Sequence, residues 1–248
     1  MKKKISKKKY LILQIDIGDG TQWGNPNTIN PIREIFIPSV QQYCQKHDYD
    51  HLLIKESEYE KKYGQFNFLA TKTKHYSFER YFHFDNKYDY TIYIDNDVYV
   101  YPDADPLPEF TGMCNVREPE GNSSRIFREV NNLSSSFLYF NSGVTFCDNL
   151  TAKKLSEYML NRLEKNIRAK GKNSDNMLLN EFILKNNKLF SEIGCQWNYM
   201  PFLENSSKTN KPNFVHFVGI VGKHIINKLQ DNNISIESFL NELKEKKF

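Results

Sequence analysis

The segment YDYTIYIDNDVYV, residues 88–100, decides the fold class of this chain. Its β-branched and aromatic residues predict a single interior strand over residues 90–100. Because residues two apart on a strand point to the same side, Asp95 and Asp97 are predicted to present two carboxylates together where the strand leaves the core. A surface turn with two acidic residues is the alternative, but the apolar residues before Asp95 favour the end of a core strand.

Two neighbouring carboxylates repel each other unless a cation lies between them. Hard oxygen ligands suit Mn²⁺ or Mg²⁺, so the pair Asp95 and Asp97 predicts a site for one of these ions. An EF-hand is excluded, because Val100 occupies the sixth position of the loop, where that motif requires glycine.

On both sides of this segment, strand patterns alternate with helix patterns. Strands are predicted over residues 10–17, 51–54, 113–116, 137–146 and 214–218, and helices after residue 30 and over residues 68–84, 151–167, 175–185 and 236–243. The polar stretch 117–136 is predicted to be a loop. This alternation predicts the α/β class, with an open sheet that is covered by helices on both faces.

The length and the charge limit the classes of function. A chain of 248 residues suits one large α/β domain, and no linker divides it. The formal net charge is +4, but six lysines and no acidic residue lie within residues 1–9, and the remainder carries two more acidic than basic residues. The charge therefore belongs to a tail, which argues against a nucleic-acid-binding body. We expect a basic disordered arm at residues 1–9, a domain over 10–230, and a C-terminal helix with a basic tail over 231–248.

The apolar runs and the cysteines predict a cytoplasmic protein. No apolar run approaches the roughly 20 residues that a membrane span requires, and Asp16 interrupts the apolar stretch after Tyr10 too early for a signal peptide. The four cysteines lack metal-type spacing and are expected to be reduced thiols. The basic tails would give a peripheral contact with an anionic membrane if the substrate of the protein were linked to a lipid.

Three classes of protein are consistent with the pair of aspartates taken alone. IDNDV matches the first motif of haloacid-dehalogenase-like phosphatases, with Asp95 as nucleophile, but the acidic pair that should follow a later apolar strand is missing, since Asp175 follows the polar RAKGKNS. A nucleotidyltransferase would need a glycine-rich phosphate loop after the first strand, which is absent. A non-catalytic nucleotide- or carbohydrate-binding module is the third alternative.

Five further segments extend the pattern over most of the chain. In order, they are YCQKHDYDHLLI (43–54), FNSGVTFCDN (140–149), SDNMLLN (174–180), QWNYMP (196–201) and HFVGIVGKH (216–224). Together with the Asp-x-Asp motif they resemble the GT-A glycosyltransferases, most closely the glycogenin-like and the galactosyl- and xylosyltransferase-like groups. The resemblance implies a single GT-A (Rossmann-like) domain with a mixed, mostly parallel central sheet.

The resemblance also implies roles for individual residues. The metal ligands would be Asp95, Asp97 and His216. The contacts to the nucleotide-sugar donor would come from Asp16, Lys74, Arg80, Asp95, Asn176, Gly219 and Lys223. Backbone amides of Gly219 and Gly222 would approach the phosphates, although one extra residue before Lys223 departs from the family pattern. The catalytic residues would be Asp175 and Asn141, next to a glycine that admits the sugar.

These assignments predict a metal-dependent glycosyltransferase. The donor would be a nucleotide diphosphate sugar, with UDP as the favoured nucleotide, and the acceptor a hydroxyl of a glycan, lipid or protein. The resemblance favours retention of the anomeric configuration. Trp197 is expected to form either a platform for a sugar ring or part of the core, and residues 117–136 and 204–213 are expected to flank the acceptor cleft.

Overall fold

The structure is a computed structural model that describes residues 7–17, 26–63, 76–168, 175–203, 209 and 211–245. The strands are β1 Tyr10–Ile15, β2 Asp50–Ile54, β3 Tyr90–Ile94, β4 Val98–Val100, β5 Met113–Arg117, β6 Phe140–Asp148, β7 Phe190–Glu192 and β8 Phe214–His216. The α-helices are α1 Pro26–Pro31, α2 Ile37–His47, α3 Glu58–Tyr63, α4 Asn122–Val130, α5 Asn149–Arg168, α6 Asp175–Lys185, α7 Gly219–Asp231 and α8 Ile236–Glu245. A π-helical turn, Ile32–Phe36, joins α1 to α2, and Tyr76–Phe82 forms a 3₁₀ helix.

Six strands form the central sheet in the order β2-β1-β3-β6-β5-β7. Strand β1 is parallel to β2 and β3, whereas β6 runs antiparallel to its neighbours β3 and β5, and β7 is parallel to β5. Five of the six strands therefore share one direction. The predicted fold class, a mixed and mostly parallel sheet in an α/β domain, is confirmed.

Helices cover the central sheet on both faces because its inner strands are apolar on both faces. On β1, Leu11 and Leu13 pack with residues of α5 and α6, whereas Ile12 points to the other face and packs with Val40 of α2. Every residue of β1 and β3 is buried. Continuous burial of this kind is expected of parallel strands enclosed between two helical layers.

The single strand predicted over residues 90–100 is wrong. Strand β3 ends at Ile94, the Asp95 N–H donates to Gly143 O at 2.7 Å, and the Val98 N–H donates to Asp95 O at 3.2 Å, which closes a turn. Strand β4 then leaves the central sheet and pairs antiparallel with β8. The two carboxylates of the Asp-x-Asp motif are therefore brought together by a turn and not by the alternation of side chains along a strand.

Two other predictions about elements need correction. The helix predicted over residues 68–84 is seen only as the 3₁₀ helix Tyr76–Phe82, because residues 64–75, and with them Lys74, lie outside the described residues. The loop predicted over 117–136 contains α4. The helical pattern of this segment is weak in the sequence, because α4 is only nine residues long and just one of its apolar side chains, Phe127, is buried.

The C-terminal helices pack into a third core on the two-stranded sheet. Phe217, which follows β8, lies with Ile226 of α7 and Leu240 of α8 in one buried cluster that also includes Tyr101 and Phe36. The Tyr101 hydroxyl donates to Leu240 O at 2.6 Å. This core fixes β8 next to the turn after β3. Within the described part of the chain, no helix has the length and the apolar character to cross a bilayer.

Candidate active site

The polar residues of the candidate site converge at one edge of the central sheet. Asp16 follows β1, Asp95 follows β3 and Glu118 follows β5, and these three strands run in the same direction. In open α/β sheets, the carboxyl ends of parallel strands form such a crevice. The antiparallel strand β6 brings its first residues to the same edge, and α6 begins there with Asp175.

Asp95, Asp97 and His216 form a group that could hold a metal ion. One ligand atom from each lies within 4.8 Å of the others. His216 Nε2 is 3.1 Å from Asp97 Oδ1, and that oxygen is buried. Two ligand atoms at this separation can bind one shared cation, and carboxylate oxygen with imidazole nitrogen is a donor set that suits Mn²⁺.

Burial and charge both act on the ligands of this group. Burial raises the pKa of the Asp95 carboxyl, the Arg80 guanidinium opposes that shift, and the Asp97 carboxylate adds to it. Burial lowers the pKa of His216, but the carboxylates of Asp97, Asp95 and Glu118 together outweigh it, so that the pKa of the imidazole is raised. A cation between these side chains would relieve the repulsion and the desolvation together.

Gly143 of β6 makes room for the imidazole of His216. A Cβ at Gly143 would lie 2.0 Å from His216 Cε1, far inside van der Waals contact. The sequence predicted that glycine here admits the sugar, whereas the group that approaches it is the histidine. The reason is tertiary, since β8 is placed over β6 by the turn after β3 and by the third core.

Arg80 is buried between two acidic side chains. Its Nη2 lies 2.7 Å from Asp95 Oδ1 and 3.1 Å from Asp175 Oδ2, and its Nε donates to Ser77 O at 2.8 Å. Ser142 O accepts from Arg80 Nη1, and the Ser142 hydroxyl donates to Asp175 Oδ2, both at 3.3 Å. The arginine thus connects a member of the metal-ligand group with the predicted catalytic carboxylate.

Glu118 is a site residue that the sequence analysis missed. Its Oε2 accepts hydrogen bonds from Asn141 Nδ2 at 3.0 Å and from Asn176 Nδ2 at 2.9 Å. Burial raises the pKa of this carboxyl, and the two amides oppose the shift. The available signal was an acidic residue directly after a strand, a position that Asp16 and Asp95 share.

The residues predicted to contact the nucleotide and the phosphates lie in two regions, one at the end of β1 and one at the start of α7. Asp16 Oδ1 accepts from Arg33 Nε at 2.9 Å and from Arg33 Nη2 at 2.8 Å. Gly219, with φ +57°, begins α7, and Lys223 is partly exposed on the same helix. Lys74 lies outside the described residues.

One expectation drawn from the motifs is wrong, and for Trp197 the structure decides between the two predicted alternatives. The Gly222 N–H donates to Val218 O at 3.0 Å, and a Cβ at Gly222 would lie 2.0 Å from Phe217 O, so this glycine serves the packing of α7 and not a phosphate. Trp197 is 5% exposed and packs edge-on against Phe146 and Phe214, so it belongs to the core.

Comparisons with known proteins agree with this architecture. The model of "Glycosyl transferase family 8" matches residues 7–223. A glycosyltransferase involved in the glycosylation of the major capsid of PBCV-1 is 14% identical, with a TM-score of 0.52 over 90% of this chain and 99% of that one. At this identity the likeness shows the fold alone.

Two further solved structures are similar at lower scores. The galactosyltransferase LgtC, solved with donor and acceptor sugar analogues, is 13% identical, with a TM-score of 0.49 over 93% of this chain and 99% of that one. Mouse xyloside xylosyltransferase 1 is 12% identical, with a TM-score of 0.48 over 84% and 97%. No curated protein sequence matches the chain.

The family match covers the segments on which the sequence resemblance rested, from the first strand to Lys223. It favours the transferase over the phosphatase and the non-catalytic module, which were the alternatives for the Asp-x-Asp motif. The chain belongs to glycosyl transferase family 8 and is a glycosyltransferase with the GT-A fold.

Proposed function

We propose that this glycosyltransferase moves a sugar from a UDP-sugar to a hydroxyl of a glycan, lipid or protein acceptor, and that it requires Mn²⁺ or Mg²⁺. The carrying observation is the group of Asp95, Asp97 and His216, whose ligand atoms lie within 4.8 Å of one another, with Asp97 Oδ1 and His216 Nε2 3.1 Å apart. The resemblance in sequence supports the donor and the acceptor class.

The three ligands have separable roles in this proposal. Asp97 and His216 hold the cation, and Asp95 binds the cation or the ribose of the donor. When bound, the ion supplies Lewis-acid stabilisation to the departing diphosphate. The buried position of Asp97 and His216, which are 8% and 3% exposed, excludes competing water from the ligand atoms.

Residues at the amino end of α7 support the diphosphate. Gly219 opens the helix directly after the segment that contains His216, so the first backbone N–H groups of α7 and the helix dipole favour a negative charge there. Lys223 adds a positive charge on the same helix. Asp16, held by Arg33, binds the base or the ribose, and Asn176 and Lys74 also contact the donor in this proposal.

The buried ion pairs make Arg80 a positioning residue and favour retention. With Asp95 and Asp175 both within 3.1 Å, the charge of Arg80 is already compensated, so it orients the two carboxylates and does not serve mainly as a diphosphate contact. Because Arg80 and Ser142 already contact Asp175 Oδ2, we assign to Asp175 the stabilisation of a sugar cation and not the deprotonation of an acceptor. Asn141 supports this region through Glu118.

Hydrolysis of the donor tests the proposed activity. We expect UDP release from one member of a UDP-sugar panel with Mn²⁺, and its loss with a chelator or in Asp97→Asn. Asp48→Asn is the control, because Asp48 is an exposed acid that pairs with Lys7 far from the site. Unchanged release in Asp97→Asn would refute the metal-dependent mechanism, and hydrolysis of p-nitrophenyl phosphate without nucleotide would favour the phosphatase.

The donor and the stereochemistry need two further measurements. A thermal-shift panel of nucleotide sugars, with and without Mn²⁺, should show stabilisation by the true donor only when the ion is present. NMR of the first product should show the anomeric configuration of the donor. An inverted product would contradict the retaining mechanism and would leave the metal site unaffected.

A further inference from the structure

A chain of buried amides leads from Glu118 to the imidazole of His216. Asn141 Nδ2 donates to Glu118 Oε2 at 3.0 Å, and Asn198 Nδ2 donates to Asn141 Oδ1 at 2.9 Å. Asn198 Oδ1 lies 3.0 Å from His216 Nδ1. Asn198 is fully buried and Asn141 is 5% exposed, so neither amide has bulk water as an alternative partner.

The direction of every hydrogen bond in this chain follows from one backbone group. The Gly143 N–H donates at 2.8 Å to the Asn141 side chain, and because an N–H can only donate, the atom that faces it is the amide oxygen. That oxygen also faces Asn198, which must therefore present its NH₂ group. The Asn198 oxygen then points to His216, so Nδ1 must carry a proton, and in the neutral imidazole the lone pair then lies on Nε2, which faces Asp97.

We propose that Asn198 is a positioning residue that fixes His216 as the Nδ1-protonated tautomer, with Nε2 free to bind the cation. The inference rests on the metal-dependent function proposed above. Metal-binding histidines gain affinity when their other nitrogen donates to an oxygen, because the tautomer and the ring orientation are then set before the ion arrives. Glu118 is the far end of this chain, because it accepts from Asn141.

Backbone hydrogen bonds keep Asn198 and Asp97 in register with His216. The His216 N–H donates to Tyr199 O, and the Phe217 N–H donates to Asp97 O, both at 2.8 Å. Tyr199, which follows Asn198, is thereby joined to the backbone of His216, and Phe217, which follows His216, is joined to the backbone of Asp97. The ring is held between Asn198 on one nitrogen and Asp97 on the other.

Binding of Mn²⁺ alone, measured by electron paramagnetic resonance without donor, tests the role of Asn198. We expect Asn198→Ala to weaken Mn²⁺ binding about 10- to 100-fold. Asn198→Asp keeps an oxygen towards Nδ1 and should bind Mn²⁺ more tightly than Asn198→Ala. Asn213→Ala is the matched control, because Asn213 is equally buried near the start of β8 but accepts from the Asp105 N–H.

Two results would overturn the proposal. One is Mn²⁺ affinity in Asn198→Ala that equals wild type or that falls no further than in Asn213→Ala. The other is an Nε2-protonated His216 in ¹⁵N NMR of the wild-type protein, recorded metal-free at a pH where the imidazole is neutral and assigned with His216→Gln. The NMR result does not depend on the folding of an Asn198 variant. If the wild-type chain binds no Mn²⁺, the metal-dependent function fails, and the tautomer is still decided by NMR.

Discussion

Gly143 leaves no space for a side chain beneath His216. The nearest imidazole atom would lie 2.0 Å from a Cβ at this position, so Gly143→Ala must displace the ring. We expect a loss of stability of about 1–3 kcal/mol from overpacking, together with weaker Mn²⁺ binding. Denaturation and Mn²⁺ titration measure the two effects.

Gly121 provides the control for this substitution. A Cβ at Gly121 would meet no atom closer than 3.9 Å, and its φ of −163° suits any residue. Gly121→Ala should change neither stability nor Mn²⁺ binding appreciably. Normal Mn²⁺ affinity in Gly143→Ala would show that His216 does not ligate the ion from the position described.

Arg80 is the buried cation between Asp95 and Asp175. Arg80→Met keeps much of the side-chain volume but leaves both carboxylates uncompensated, so we expect a loss of about 3–5 kcal/mol in the free energy of unfolding and loss of donor hydrolysis. Chemical denaturation at neutral pH measures the first and UDP release the second.

Arg128 offers a matched arginine outside the site. It pairs with the half-exposed Glu120 at 2.7 Å, and such surface pairs are worth less than about 1 kcal/mol. Arg128→Met should therefore cost little stability. An Arg80→Met protein as stable as Arg128→Met would mean that the two carboxylates find other partners or become protonated.

At the scale of elements, the decisive feature is the turn between β3 and β4. The Asn96 side-chain amide donates to Ile15 O, which ties the turn to the end of β1 next to Asp16. Because β4 pairs with β8, the turn also carries His216 to Asp95 and Asp97. The metal-ligand group therefore depends on β4 and β8, two strands that pair with each other outside the central sheet.

A contact between β1 and β2 makes the stability of the fold depend on pH. His51 Nε2 lies 3.0 Å from Gln14 Oε1, and burial lowers the pKa of His51 to about 4. Since the folded pKa lies below the unfolded value of about 6.5, the neutral histidine stabilises the fold fully above pH 6.5 and this stabilisation is lost as the pH falls towards 4.

The variant His51→Gln isolates the pH-dependent stability that arises from His51. Relative to His51→Gln, the wild-type protein should lose at most about 1.4 kcal/mol of stability per pH unit between pH 6.5 and 4. Urea denaturation of both proteins at several pH values measures the difference. A constant difference over this range would show that His51 titrates normally in the folded protein.

At the scale of the whole molecule, the C-terminal helix α8 shares a core with the two-stranded sheet that carries His216. Ile236, Leu240 and Leu243 of α8 are buried with Phe217, which follows His216 directly. The boundary that the sequence predicts after residue 230 remains a prediction. The shared core is the reason to expect that residues 231–245 unfold together with the rest of the domain.

Leu240→Ala tests this coupling. Removal of a fully buried leucine should cost about 2–5 kcal/mol and should shift one cooperative transition, seen equally by far-UV circular dichroism and by tryptophan fluorescence. Ile234→Ala, at a site that is 44% exposed, is the control and should cost much less. Two separate transitions in Leu240→Ala would indicate that α8 is an independent appendage.

The sequence by itself determined the α/β class, the order of most elements, and the types of residue that form the site. These depend on local patterns, such as the apolar run before Asp95 and the start of α6 at Asp175, which hold wherever the segment lies in the fold. It also identified Asp97 and His216 as one group, through the order of the family's motifs.

Only the tertiary structure decided how these residues meet. The turn at Asp95–Asp97, the burial of Arg80 against Asp175, the place of His216 over Gly143, and the contacts of Glu118 and Asn198 all join segments that are distant along the chain. Hydrophobic periodicity records which side of an element is buried, but not which element will cover it. The partner of a buried polar group is therefore set by packing, and that is where the chemistry of this site was decided.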